Sequence, residues 1–270
     1  MESILTSAVI AAAAAIFATV SIEKFGGRIG GLIGTLPSTI VPASLGFWAE
    51  RSSELDFQVS LYAVPAGMTL NAIFLSVWRV LPPLIQSFSI RRQLFLMVSI
   101  SLGIWIALGL LLLFGLRFID GYPLHSALSF TAVGLLVGAW GCRRRLPAPK
   151  GSRKVSRSVL LARGLFAALA IGIAVWVSGI GMPIAAGLAS VFPAIFLTTM
   201  VSVWLAQGKS VVVGAVGPMM LGGVSVSAFS LFAAWFFPLF GPVVGCLSAW
   251  CLAVLLVSVP AWIWLERPFS

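Results

Sequence analysis

Charge is scarce in this chain. Its 17 basic and 7 acidic residues make up 9% of 270 positions. A water-soluble domain of this size covers itself with roughly a quarter or more charged side chains, so a soluble globular protein is excluded. The acids are the scarcest group. Glu23, Glu50, Glu54, Asp56, Asp120 and Glu266 all fall in loops or at the ends of apolar runs. No carboxylate sits where a membrane midplane would fall, and a proton- or sodium-coupled carrier commonly needs one there. There is one histidine, His125, and three cysteines, Cys142, Cys246 and Cys251, with no metal-ligand spacing. Nucleophile–base pairs are missing as well. The expectation is therefore no metal, no cofactor and no conventional enzyme.

What is abundant is apolar surface. Hydrophobic residues reach 60% and the mean hydropathy is +1.10, which points to lipid as the solvent. At roughly 20 residues per crossing, the chain has room for about nine spans. The runs are long and do not alternate, which excludes a transmembrane barrel. The fold class read from this is an all-α integral membrane protein. Its spans are expected at 4–21, 29–49, 58–84, 94–116, 126–140, 159–177, 182–205, 211–237 and 242–264. Residues 1–19 have no basic stretch before them and read as a retained first span rather than a cleaved signal.

The net charge of +10 does not indicate nucleic acid. The basic residues lie in short segments between apolar runs, where anionic headgroups are partner enough. Only Arg51 and Arg117 fall on the side of the N-terminus. Lys24, Arg28, Arg91, Arg92, Lys209, Arg267 and the loop carrying Arg143, Arg144, Arg145, Lys150, Arg153, Lys154 and Arg157 fall on the other. That asymmetry puts the N-terminus outside and the C-terminus in the cytoplasm.

A shift of 156 positions aligns two stretches without a gap. Gly31 and Leu32 fall on Gly187 and Leu188, Pro37 on Pro193, Trp48 on Trp204, Gly67 on Gly223, Ala72 on Ala228, Leu75 on Leu231, Pro82 on Pro238, and Thr69 on Ser225. Proline, tryptophan and paired glycine each answer a local backbone or interface need. The reading is an inverted-topology 4+1+4 repeat. Residues 1–117 form repeat 1, residues 118–157 a linker helix with a basic cytoplasmic loop, and residues 158–270 repeat 2. Inverted repeats are a recurring plan of transporters.

The runs Ile184-Ala-Ala-Gly-Leu-Ala-Ser-Val-Phe-Pro193, continuing to Trp204-Leu-Ala-Gln-Gly208, and Gly26-Gly-Arg-Ile-Gly-Gly-Leu-Ile-Gly-Thr-Leu-Pro37 carry a resemblance. Each half resembles small four-span bacterial inner-membrane proteins of the GlpM type, over about 50 residues. The resemblance implies a multi-pass protein of the bacterial inner membrane and supplies no binding residues. This chain differs from that type in being a fused double.

The candidate site residues follow from the repeat. Pro37 and Pro193 are expected inside spans 2 and 7, where a proline frees a carbonyl and kinks the helix. Thr35, Ser38 and Thr39 surround the first, and Thr198 and Thr199 follow the second. These hydroxyls either line a solute site or bond their own helix carbonyls. Thr69 and Asn71 in span 3 align with Ser225 and Ser227 in span 8, as packing contacts or as a pore lining. Gly26, Gly27, Gly30, Gly31 and Gly34 suit close helix contact. Arg79 and Arg163 enter apolar segments and either snorkel or attract an anion.

Three functions compete on these grounds. The first is a transporter or channel for an unidentified small solute, with its pathway between the repeats. The others are a scaffold that assembles partners in the bilayer and a lipid-handling protein. A homo-oligomer is compatible with all three.

Overall fold

The computed structural model describes residues 1–25, 36–116, 123–143 and 157–266. They are helical almost throughout: α1 (Glu2–Phe25), α2 (Ile40–Glu50), α3 (Glu54–Val80), α4 (Ile90–Leu116), α5 (Pro123–Cys142), α6 (Arg157–Gly179), α7 (Pro183–Ser190), α8 (Ala194–Gln207), α9 (Lys209–Ala253), a π-helical turn (Val254–Ser258) and α10 (Val259–Glu266). Among the described residues, six helical stretches are long and apolar enough to cross a membrane, and Glu2–Phe17 is a shorter apolar helix. The chain is thus a multi-pass all-α membrane protein. Leucines, phenylalanines and valines on α4, α5, α6 and α9 stand exposed, as lipid contact requires.

Local chemistry sets several boundaries. Ser53 accepts from the Asp56 backbone N–H at 3.1 Å, opening α3 with two acids in its first turn. Gly181, at φ +77°, closes α6. Its N–H donates to Ser178 O, and the Met182 N–H reaches back to Val177 O. Those two bonds are the signature of a left-handed helix cap, and Pro183 then starts α7 at a position that needs no N–H. At Gly241 (φ +76°) α9 breaks. The chain reverses there, because a Cβ on Gly245 would lie 2.7 Å from the Phe236 backbone. In an unbroken helix those residues would be about 13 Å apart. The stretch 211–266 is therefore two arms, close to the expected division at 237 and 242.

Two antiparallel pairs organise the bundle. In the first, a Cβ on Gly172 would meet Ala8 and Ile4, and a Cβ on Gly164 would meet Ile16 and Ala12. Helices α1 and α6 thus run in opposite directions and cross near Ala11 and Ala167, both buried. In the second, Gln58 Nε2 donates to Ala234 O at 3.3 Å, and Gly223 faces Met68 Cε. Helices α3 and α9 are thus also antiparallel, with Met68 facing Gly223. Trp48 on α2 packs edge-on against Phe237 of α9 at 5.7 Å, and Trp204 on α8 packs edge-on against Trp78 of α3 at 6.0 Å. Helix α5 lies against both α3 and α9, with Gly138 on the Leu221 backbone and Gly141 on Gly217.

Candidate functional site

Pro193 does not kink a continuous helix, as the sequence leads one to expect; it sits in a break between two helices, and Pro37 stands in a turn just before α2. On the second half, α7 ends at Ser190 and α8 begins at Ala194. Between them Pro193 occupies the middle of a three-residue turn, with the Ala194 N–H donating to Phe192 O at 2.7 Å. On the first half, α2 begins only at Ile40, and Pro37 is central to the same turn, with the Ser38 N–H donating to Leu36 O at 2.6 Å. The reason is steric. A proline ring clashes with the carbonyl four residues back and offers no N–H. Thr35 and Gly26, Gly27, Gly30, Gly31 and Gly34 lie outside the described residues, as do most of the basic loop, Arg117, Asp120 and Arg267.

One carbonyl at the second break, Val191 O, finds its partner on α3. Asn71 is 2% exposed, a position where an unmatched amide would be costly. Its Nδ2 donates to Val191 O at 2.8 Å, and its Oδ1 accepts from Trp105 Nε1 of α4 at 2.9 Å. The Trp105 ring stands edge-on to Phe192 at 5.2 Å. Helices α3, α4 and the α7–α8 break are thus joined through one amide. The break also lies close against α3, since a Cβ on Gly67 would strike Val191 and one on Gly187 would strike the Ser60 carbonyl. Trp105 was not among the residues singled out from sequence. Its signal was available, because an indole N–H inside an apolar run needs an acceptor.

The other candidates are spread around this centre. Thr69 Oγ1 donates to Pro65 O and, at 3.1 Å, to Phe130 O of α5. Ser225 and Ser227 are buried on α9, where Ser225 donates to Gly222 O at 2.8 Å. Thr198 donates to Ala194 O, and Thr199 to Ile195 O, within their own helix. Ser38 and Thr39 are half-buried at the first break, and Thr39 makes no side-chain cap for α2. The structure joins Asn71 to the second break but does not bring Thr69, Thr198 or Thr199 onto the same groups.

The two arginines differ. Arg79 Nη1 donates to Gly141 O at 2.7 Å, a cation on the C-terminal end of α5 that suits the helix dipole. Arg163 is 4% exposed and does not extend outward as snorkelling expects. It turns inward, its Nη2 donating to Ser202 Oγ of α8 at 3.0 Å, while Ser202 in turn donates to Thr198 O. The position 156 residues before Arg163 is Ser7, which lies beside Gly46, itself 156 residues before Ser202. The two contacts match in place but not in charge. Among the described residues no group of three or more His, Cys, Asp or Glu could hold a metal ion.

No family model, no curated protein and no solved structure matches this chain.

Proposed function

We propose that this protein is a transporter or channel for a small solute, built from two inverted four-span halves joined by α5, with its pathway beside the paired helix breaks. The observation that carries this reading is the pair of three-residue turns at Pro37 and Pro193. They lie 156 positions apart, the spacing of the repeat read from the sequence. Interrupted helices in matching places of two antiparallel halves are the plan of many secondary transporters, whose unwound backbone groups meet the solute. Non-helical backbone within a membrane is tolerated only where protein or a cavity satisfies it. Asn71 does this at the second break, and the hydroxyls of Ser38, Thr39, Thr198, Thr199, Ser225 and Ser227 are within the same pair of halves. Arg163 is a buried cation where Ser7 stands at the matching position of the other half, which suits an anion-attracting role.

In this reading the chain crosses the membrane nine times. The six long helical stretches become seven when 211–266 is divided at Gly241, and α1 and the span expected from sequence at 29–49 add two. The N-terminus lies outside and the C-terminus inside a bacterial inner membrane. The protein is a carrier of matter rather than an enzyme. Purified chain in proteoliposomes should raise the permeability to a panel of small polar solutes above that of empty vesicles. No increase for any member, together with a stoichiometric membrane partner recovered by crosslinking, would favour the scaffold instead.

A further inference from the structure

The two helices beside the second break are held very differently. Helix α7 is wedged onto α3, where a Cβ on Gly187 would strike the Ser60 carbonyl, and Asn71 fixes Val191 just beyond its end. Helix α8 contains no glycine and makes no such close approach. It packs against α6 and α9, and most of Ile195–Val203 is only half-buried. Two lateral ties are specific. Arg163 Nη2 of α6 donates to Ser202 Oγ at 3.0 Å, and Trp204 stands edge-on to Trp78 of α3 at 6.0 Å. Trp78 Nε1 is buried with no partner among the described residues.

Both ends of α8 are joints. Its N-terminus is the three-residue turn at Pro193, and its C-terminus is Gly208, at φ +87° and ψ 171°. That conformation is open to glycine alone, and glycine leaves it for negative φ without a steric cost. Nothing lies within 4 Å of a Cβ placed there. Hinges are a few element-terminal residues of this kind, which absorb a change of dihedral angle while the helices stay whole. The matched place in the first half is built otherwise. Gly46 stands 156 positions before Ser202 and Ser7 the same distance before Arg163, and a Cβ on Gly46 would strike Val175 and Ser7. Helix α2 is wedged there, whereas α8 is tied by one charged hydrogen bond.

We propose that α8 is a gate: it swings about the Pro193 turn and Gly208, and the Arg163–Ser202 hydrogen bond holds it closed against α6. Arg163 does not follow the swing, because α6 is packed on α1 through Gly164 and Gly172. A bond from a charged donor is strong but depends on geometry, so it is made in the closed position and lost in the open one. Opening withdraws Trp204 from Trp78 and lets water meet the unmatched indole N–H, which offsets part of the cost. The inference rests on the transport reading for what is gated, a pathway beside the second break. The motion of α8 is independent of it.

The test measures distances between spin labels on the full chain in nanodiscs, with the native cysteines replaced. One pair is Leu161→Cys on α6 with Leu205→Cys on α8, both exposed. The control pair is Leu136→Cys on α5 with Leu239→Cys on α9, two helices held together by Gly138. The otherwise unaltered chain should give one distance for each pair. Ser202→Ala should add a second, longer distance between α6 and α8, the closed-to-open ratio falling about tenfold, the effect of one charged hydrogen bond. Ser202→Thr keeps the hydroxyl and should restore the single distance. Ser202→Ala combined with Pro193→Ala should also lose the second distance, because a helix continuous through residue 193 has no joint there. Thermal unfolding confirms that each variant is folded. Unchanged distances in Ser202→Ala, a second distance in the control pair as well, or one that survives Pro193→Ala would overturn the gate. Permeation is read separately. A swinging α8 without permeation removes the pathway and keeps the motion, and permeation with a fixed α8 does the reverse.

Discussion

At the scale of single residues, Asn71 has the most to lose. Replacing it with leucine leaves Val191 O and Trp105 Nε1 without partners in an apolar interior. The expected loss of stability is about 1–2 kcal/mol, at the lower end of the penalty for unmatched buried groups because bonds inside membranes average less than isolated estimates. Trp105→Phe removes one of the two bonds and should cost less. The double variant should cost less than the two single losses together, since both act through the same amide. Unfolding in mixed micelles measures all three. The sequence made Asn71 conspicuous as an amide in an apolar run, but not its partners. Val191 O is a backbone group, identical in every residue until a helix breaks around it. Arg163 was legible only as a charge out of place. Its inward turn depends on Ser202, thirty-nine residues away, and no local pattern joins them.

At the scale of elements, close approach is decided by glycine. A Cβ at Gly187 would strike the Ser60 carbonyl, whereas nothing lies within 4 Å of one at Gly103. Gly187→Ala should therefore cost about 1–3 kcal/mol through overpacking, while Gly103→Ala is neutral or slightly favourable through helix propensity. Thermal unfolding of the two variants side by side checks this. Helix existence was readable from apolar runs, and most ends fell within a few residues. The divisions inside spans were not. Pro65 leaves α3 intact, while Pro193 accompanies a full break and Pro37 stands in a turn before α2. Proline chemistry is the same in all three places, and what differs is whether neighbouring helices support a turn there.

At the scale of the whole molecule, the antiparallel crossing of α1 and α6 can be tested directly. With the native cysteines replaced, the pairs Ala8→Cys with Gly172→Cys and Ala12→Cys with Gly164→Cys should both oxidise to disulfides. Their Cβ separations of 3.6 and 3.7 Å fall within the range a disulfide spans. A parallel arrangement of α1 and α6 would allow only one of them. Labelling of Ser3→Cys by an impermeant thiol reagent added outside intact cells should succeed, and labelling of Arg143→Cys should fail, if the basic loop is cytoplasmic. The apolar excess of the sequence pointed to the membrane class, and the six long apolar helical stretches among the described residues agree with it. The 156-residue offset was visible in a handful of prolines, tryptophans and glycines. What it joins in space was not, because crossings such as that of Ala11 and Ala167 are made by alanines indistinguishable from their neighbours.

The central claim is that the paired breaks border a solute pathway. Its most direct test is stopped-flow permeation of small polar solutes into proteoliposomes, comparing the unaltered chain with Pro37→Ala and Pro193→Ala at equal, correctly folded incorporation. The account predicts that each substitution lowers permeation about tenfold, equivalent to about 1.4 kcal/mol. The two should act alike because the turns are equivalent. Permeation that is unchanged in both variants, or never exceeds that of empty vesicles, would contradict it.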